Sequence, residues 1–244
     1  MPTPFIDLCN STLRRLNEVE IPQAGFDNVR GVQALVKDAV RNSVRKINQS
    51  SFKWPFNAAE HTQTLTVGQS EYAWPIDFKV VDYRSFQLQA DDSLGTSFTS
   101  LQFIDREIWY NDLRNQDDAA GATGRGVPRH VFPSHGYGFG ISPSPDKAYE
   151  IKFRYYLNVV ELNDATDSPR IPEDFDHVIV DGAVYYMYMF KDNVESAQIQ
   201  AQAFREGIKD LENLFLNKRD RIFDTRVAFG GGRSPRNVLP LGGN

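Results

Sequence analysis

Four histidines, one cysteine and several adjacent carboxylate pairs are the residues of this chain whose types could do chemistry. The histidines are His61, His130, His135 and His177. None forms an H-x-x-x-H pair, and the lone Cys9 cannot complete a zinc set. His130 and His135 flank Pro133 and read as surface or turn residues, and His177, two residues after Phe175, reads as a helix-entry packing residue. Nucleophilic catalysis needs a serine or cysteine oriented by a base, and no G-x-S-x-G occurs. Gly136-Tyr137-Gly138-Phe139-Gly140 lacks the G-x-G-x-x-G spacing of a dinucleotide loop, and no phosphate-binding G-x-x-x-x-G-K-[ST] exists. That alternation of glycine with aromatics suits a strand closely approached by another backbone. Of the carboxylate pairs, Asp91-Asp92 has no marked context, Asp117-Asp118 falls in a glycine-rich loop, and Glu173-Asp174 opens a helix. No catalytic, cofactor-binding or metal-ligating residue is assigned, and no cofactor is expected.

The elements that would position any site come in three blocks. Phe5, Leu8, Cys9, Leu13 and Leu16 recur at helical spacing, which makes Cys9 a small core hydrophobe. After the Ile21-Pro22 break, Val29, Val32, Val36, Val40, Val44 and Ile47 form one stripe, with Asp27 as the expected N-cap. From 51 to about 158 the chain is rich in aromatics, glycine and alternating runs. Residues 61–67 and 70–74 read as a hairpin about Gly68-Gln69. One or two strands follow within 78–89, then a short helix over 101–114 from the spacing of Phe103, Ile104, Ile108 and Leu113. Residues 115–128 are a loop; 130–133, 138–142 and 149–157 are strands, with a turn at Pro143-Ser144-Pro145-Asp146. Pro169 and Pro172 with Glu173 and Asp174 announce a helix carrying Val178, Ile179, Gly182, Tyr185, Tyr186 and Met189. A last helix holds Ala197, Ala201, Phe204, Ile208, Leu211 and Phe215.

This order predicts an α+β protein. The N- and C-terminal helix pairs (residues 1–50 and 166–222) form a four-helix bundle, and residues 51–165 are an inserted antiparallel β-rich domain. Residues 223–244, with five glycines, two prolines and no helical period, form an extended arm. Charge divides the same way. Residues 218–244 carry a net +4 within a chain of formal charge −5, so the rest carries −9. A basic tail on an acidic body points to an acidic protein partner or a nucleic-acid contact. No run approaches the roughly 18–20 apolar residues of a membrane span, so no membrane partner is expected. The N-terminal stretch lacks the pattern of a secretory signal, and a single cysteine fits a reducing compartment.

Trp54, Phe56 and Trp74 belong to an aromatic group that reads as sheet core and subunit interface. With Lys53, Lys79, Arg84 and Arg106 the same group could instead stack single-stranded nucleic acid. The run from Tyr185 to Phe190 is apolar on every face of its helix, so Tyr188 and Phe190 are further candidates for a subunit interface.

Four phrases, in order, resemble phage head–tail adaptors. INQSSFKWPFN (47–57) is similar to the Trp-Phe-Asn junction of tail tubular protein A, the adaptor of short-tailed phages. VGQSEYAWPIDFKVVDYRSFQL (67–88) resembles the adaptors' G-Q-x-x-Y-x-x-P-x-D-F hairpin. GFGISPSPDKAYEIKFRYYLNVVEL (138–162) resembles their strand pair, and IPEDFDHVIVDGAVYYMYMFKDN (171–193) their entry to the penultimate helix. The resemblance covers most of 1–217. It implies a non-enzymatic virion protein of the tail or neck, assembled in the host cytoplasm. Twelve subunits would form a ring attached to the portal protein, with genomic DNA passing through the channel and a platform for the tail nozzle or other tail proteins. It further implies that the arm embraces the portal, with Arg219, Arg221, Arg226, Arg233 and Arg236 as contacts. The alternatives are a nucleic-acid-binding module using the basic tail and aromatic sheet, and, with no motif behind it, a tail-associated hydrolase.

Overall fold

The structure is a computed structural model that describes residues 2–50, 52–89, 98–114, 124–159 and 161–215. The expected 223–244 arm and the 115–123 part of the expected loop lie outside the described residues.

Four long helices form where the apolar periodicity placed them: α1 (Phe5–Arg15), α2 (Val32–Gln49), and, after a short helical stretch α3 (Arg106–Ile108), α4 (Asp176–Phe190) and α5 (Val194–Phe215). Asp27 is not the cap of α2. It lies in a 3-10 stretch, Gln23–Asn28, and the cap position is Gly31, whose φ of +59° is a backbone setting that favours glycine. α4 is the hub of the helical region, because α1, α2 and α5 all pack on it. Its sequence explains this: a helix apolar on most faces needs cover on several sides. The closest approach is at Gly182, where a Cβ would meet Ser43 Oγ at 2.2 Å and the Phe204 ring at 2.6 Å. Ser43 Oγ donates to the Ile179 carbonyl at 2.8 Å across the same contact.

Among the described residues the middle of the chain forms two larger sheets and one minimal one. The first sheet runs β1 (Ala58–Thr64), β11 (Glu150–Leu157), β4 (Gln87–Gln89), β5 (Phe98–Ser100), with β3 (Phe78–Val81) also paired to β11. The second runs β2 (Glu71–Ala73), β9 (Gly138–Ser142), β8 (His130–Pro133), β6 (Gln102–Phe103). β7 (Arg125–Gly126) and β10 (Ser144–Pro145) pair on their own. Pairing is antiparallel except in β6–β8 and β7–β10, which are parallel. The strands therefore depart from an all-antiparallel plan, and residues 144–145, expected as a plain turn, also form a two-residue pairing.

Two further local expectations change. The hairpin about Gly68-Gln69 does not form: β1 pairs with β11 and β2 with β9, so the two runs join different sheets. The link is a corner, where the Thr66 N–H donates to the Tyr72 hydroxyl at 3.0 Å and that hydroxyl donates to the Gln69 carbonyl at 2.9 Å. The helix expected over 101–114 starts only at Arg106, because Phe103 is drawn into a strand beside Val131. The glycine alternation behaves as its spacing suggested. A Cβ on Gly138 would lie 2.1 Å from the Tyr72 carbonyl oxygen, and one on Gly140 would enter the ring of Phe132, which stacks on Trp109.

Two buried clusters result. The helical one contains Phe5, Leu8, Val40, Ile47, Ile179 and Met187, and it extends beyond the helices to Trp54, Leu162 and Ile171. The other lies between the two larger sheets and is dominated by aromatics, among them Phe86, Phe139, Phe153 and Tyr155. They meet at the end of α2. There the Trp54 Nε1–H donates to the Ile47 carbonyl at 3.0 Å, Asn57 donates to the Asn48 side chain at 2.6 Å, and Lys79 of β3 donates to the carbonyls of Asn48 and Ser50. Helix ends leave carbonyls without intrahelical donors, and here side chains of the sheet region supply them.

Candidate assembly surfaces

The structure separates the residues expected at subunit interfaces into buried and surface groups. Trp54 is 1% exposed, packed among Phe52, Phe56 and Phe215. It is a core residue of the protomer rather than a surface one, because the N–H at its polar edge is committed to α2 and its faces to the helical core. Trp74 is half-buried at the centre of the aromatic cluster, 4.4 Å from Phe78 and 4.9 Å from Phe139 between ring centroids. Its main work is packing between the sheets. Phe56 and Tyr188 are half-buried, and Phe190 is 47% exposed. The five arginines assigned to the arm lie outside the described residues.

Phe190 is exposed at the end of α4 beside Met189, and Val194, Ile199 and Leu214 are exposed at separate points along α5. The link between α4 and α5 turns sharply at Asp192, whose φ is +55°, and the Asn193 side chain then accepts the Ser196 N–H to start α5. One side of Phe190 faces a polar hollow of about 360 Å³ lined by Asp38, Arg41, Arg45 and Glu161. The Arg45–Glu161 pair across it is well exposed and contributes little to stability. Of the exposed apolar residues that were not among the candidates expected from sequence, Ile76 and Tyr137 stand together. Ile76 projects fully into solvent from the turn between Trp74 and Phe78, and Tyr137 is 67% exposed beside it, its hydroxyl donating to the Phe78 carbonyl. The signal available was an isoleucine set between Pro75 and Asp77, in a turn where no core position is on offer.

A second surface feature is a groove of about 530 Å³ lined by Pro2, Phe56, Pro169, Arg170, Pro172 and Glu173. The N-terminal segment forms part of its wall: Ser168 Oγ donates to the Pro2 carbonyl, and Thr3 Oγ1 donates to Asp176 at the start of α4. Burial raises the pKa of the Asp176 carboxyl, an effect reinforced by Glu173 and Asp174 and opposed by the Thr3 hydrogen bond and His177.

Other groups with chemical potential are structural. Burial pushes the Cys9 thiol up to about 12, so it stays protonated and inert in the helical core. His61 packs on Phe153, and His177 Nδ1 lies 3.1 Å from the Asp174 carbonyl oxygen. Among the described residues no group of three or more His, Cys, Asp or Glu side chains is placed to hold a metal, and no helix is long and apolar enough to cross a membrane. Of the aromatics that could have stacked nucleic acid, Trp54 is buried and Phe56 and Trp74 are half-buried.

The chain is a mixed α+β protein with two joined cores. Its sequence matches the family described as SU10 adaptor protein over residues 3–230, and the chain belongs to that family of phage head–tail adaptors. The adaptor class implied by the four motifs is thereby met, and with it a structural role as a virion component associated with portal and tail proteins. No individual curated protein matches the chain.

Proposed function

We propose that this chain is the ring-forming head–tail adaptor seated beneath the portal, twelve copies enclosing the channel through which genomic DNA passes. The ring offers a platform to the tail nozzle, as in tail tubular protein A, and is assembled in the host cytoplasm. The observation that carries this reading is the family match, which spans nearly the whole chain. The protomer supplies consistent physical features. Exposed apolar side chains on α4 and α5 suit burial against a neighbour, and a head-to-tail contact that closes generates a ring. In this reading the terminal helix pairs act as one bundle, residues 51–165 project from it, and the basic segment after 222 reaches the portal through Arg226, Arg233 and Arg236, with Arg219 and Arg221 at its root.

The test is the mass of the purified protein in solution, alone and mixed with its portal. A ring in either condition supports the reading, and removal of 223–244 should then leave a folded protein that fails to join the portal. A monomer that ignores the portal overturns the adaptor role, and normal attachment by the truncated chain overturns the role of the arm.

A further inference from the structure

The edge strands of the two larger sheets are short, with one exception. Among the described residues β2, β3 and β5 have three or four residues and β6 has two, whereas β1 has seven. Its register with β11 runs from Ala58 to Thr64 without a bulge, and it holds neither the lysine nor the proline that commonly blunts an open edge. The Leu65 N–H donates to the Tyr149 carbonyl. The alternation of an antiparallel ladder therefore turns the backbone groups of Ala59, His61 and Gln63 toward β11 and those of Glu60, Thr62 and Thr64 outward. Among the described residues nothing bonds to those outward groups.

The far end of the same sheet is its counterpart. The Leu101 N–H donates to the Phe86 carbonyl, so the backbone of Thr99 faces β4 while that of Phe98 and Ser100 faces out. All three residues of β5 are exposed. Direction and facing both match. β1, β11, β4 and β5 alternate in direction, so β5 runs antiparallel to β1. His61, on Phe153, and Thr99, opposite the buried Leu88, mark the core face of the sheet. Glu60, Thr62 and Thr64 at one end, and Phe98 and Ser100 at the other, stand on the outer face. A β5 strand brought against the β1 of another copy thus continues the sheet with its core face on one side. The contact joins two different edges, so each copy keeps one edge for the next, the head-to-tail arrangement that closes into a ring.

We propose that the subunit contact of the ring is this sheet continued from copy to copy, with Phe98 and Ser100 of one subunit hydrogen-bonded to the outward groups of Glu60, Thr62 and Thr64 of the next. The inference rests on the ring reading and names its contact. Main-chain bonds supply the fit, and the exposed Phe98 ring gains cover beside β1.

Hydrogen exchange resolved to single amides, in the dilute monomer and in the ring, tests it. Assembly should slow the amides of Glu60, Thr62, Thr64, Phe98 and Ser100 at least about tenfold, while those of His61 and Gln63, already bonded to β11, change little. Thr62→Pro removes one outward donor at an edge position where proline is tolerated. It should leave thermal melting of the monomer unchanged and abolish the ring, and a variant that assembles like the unaltered chain overturns the proposal. If the variant does not fold, the exchange pattern of the unaltered chain decides alone. A ring whose β1 and β5 amides exchange as fast as in the monomer overturns the proposal and leaves the ring reading standing. Slowing at β1 without slowing at Phe98 and Ser100 gives that edge to another strand and overturns the β5 pairing. A chain that stays monomeric with and without its portal overturns both.

Discussion

The helical region and the sheet region solve the same packing problem with different materials. The helical core is largely aliphatic, with close approaches such as Gly182 against Ser43, and it leaves Met189, Phe190, Val194, Ile199 and Leu214 exposed. The sheet core is a network of rings: Phe153 lies 4.6 Å from Phe86, 5.3 Å from Phe139 and 5.7 Å from Trp74. Large rings let two short-stranded sheets fill the roughly 10 Å gap between them with few residues. The difference lies in how each core is filled and not in what is left outside, since Ile76 and Tyr137 of the sheet region are exposed as well as Phe190 and Ile199 of the helices.

The strongest way to break that comparison is to hollow one core and watch the other. Phe153→Ala removes a ring that is 1% exposed, and such truncations cost about 3–5 kcal/mol. Two built-in reporters separate the regions. Trp74 and Trp109 sit in the sheet region, and fluorine labelling resolves their signals from that of Trp54 in the helical core; Cys9 is buried in that same helical core and its thiol reacts only when the core opens. In urea, the signals of Trp74 and Trp109 should change at a much lower midpoint in the variant. If Cys9 becomes reactive at that same lower midpoint, the cores unfold as one unit. A Cys9 midpoint left at the wild-type value makes them independent.

The joint at the end of α2 sharpens the same question at a smaller scale. Lys79 is drawn from β3 onto the carbonyls of Asn48 and Ser50, and burial lowers its pKa. Lys79→Met keeps the apolar stem and removes the donors, at a cost of about 1–2 kcal/mol. The expected outcome is a modest loss of stability together with a separation of the tryptophan and Cys9 transitions. Transitions that stay superimposed would show that Trp54 and Asn57 hold the joint without it.

The reach of the interactions decides how much of this is legible in sequence. The helical stripes are readable to within a few residues because helix hydrogen bonds join neighbours along the chain. The alternation of Gly138 and Gly140 is also readable, since only a missing Cβ admits the Tyr72 backbone and the Phe132 ring. Strand pairing is not. His61 pairs with Phe153 and Tyr72 with Phe139, partners far along the chain, and nothing local says that a Gly68-Gln69 turn joins two sheets rather than one hairpin. Trp54, expected as sheet core and subunit interface, packs in the helical core for a related reason. Burial in the protomer depends on Phe215 and on the end of α2, and composition alone does not separate a core tryptophan from an interface one. Tyr188 and Phe190 stand out because the run from Tyr185 to Phe190 has more apolar faces than its own protomer covers.

The smallest expected effect concerns the entry to α4, where the helical region meets the N-terminal segment. Asp176 holds a proton more tightly in the folded chain than its ordinary value of 3.8, because burial disfavours its charged form, with Glu173 and Asp174 adding to the rise and Thr3 and His177 opposing it. The folded state therefore binds more protons than the unfolded one as pH climbs from about 3.8 through the raised value, and stability from this group falls across that window. Asp176→Asn keeps an oxygen for the Thr3 hydroxyl and carries no charge. It should flatten that part of the pH profile, most visibly in the Cys9 reporter, with the tryptophan signal changing only if the joint couples the cores. Parallel pH profiles for the two proteins would mean that the entry to α4 tolerates the charged carboxylate at no cost, and would leave the helical region's pH response to its other acids.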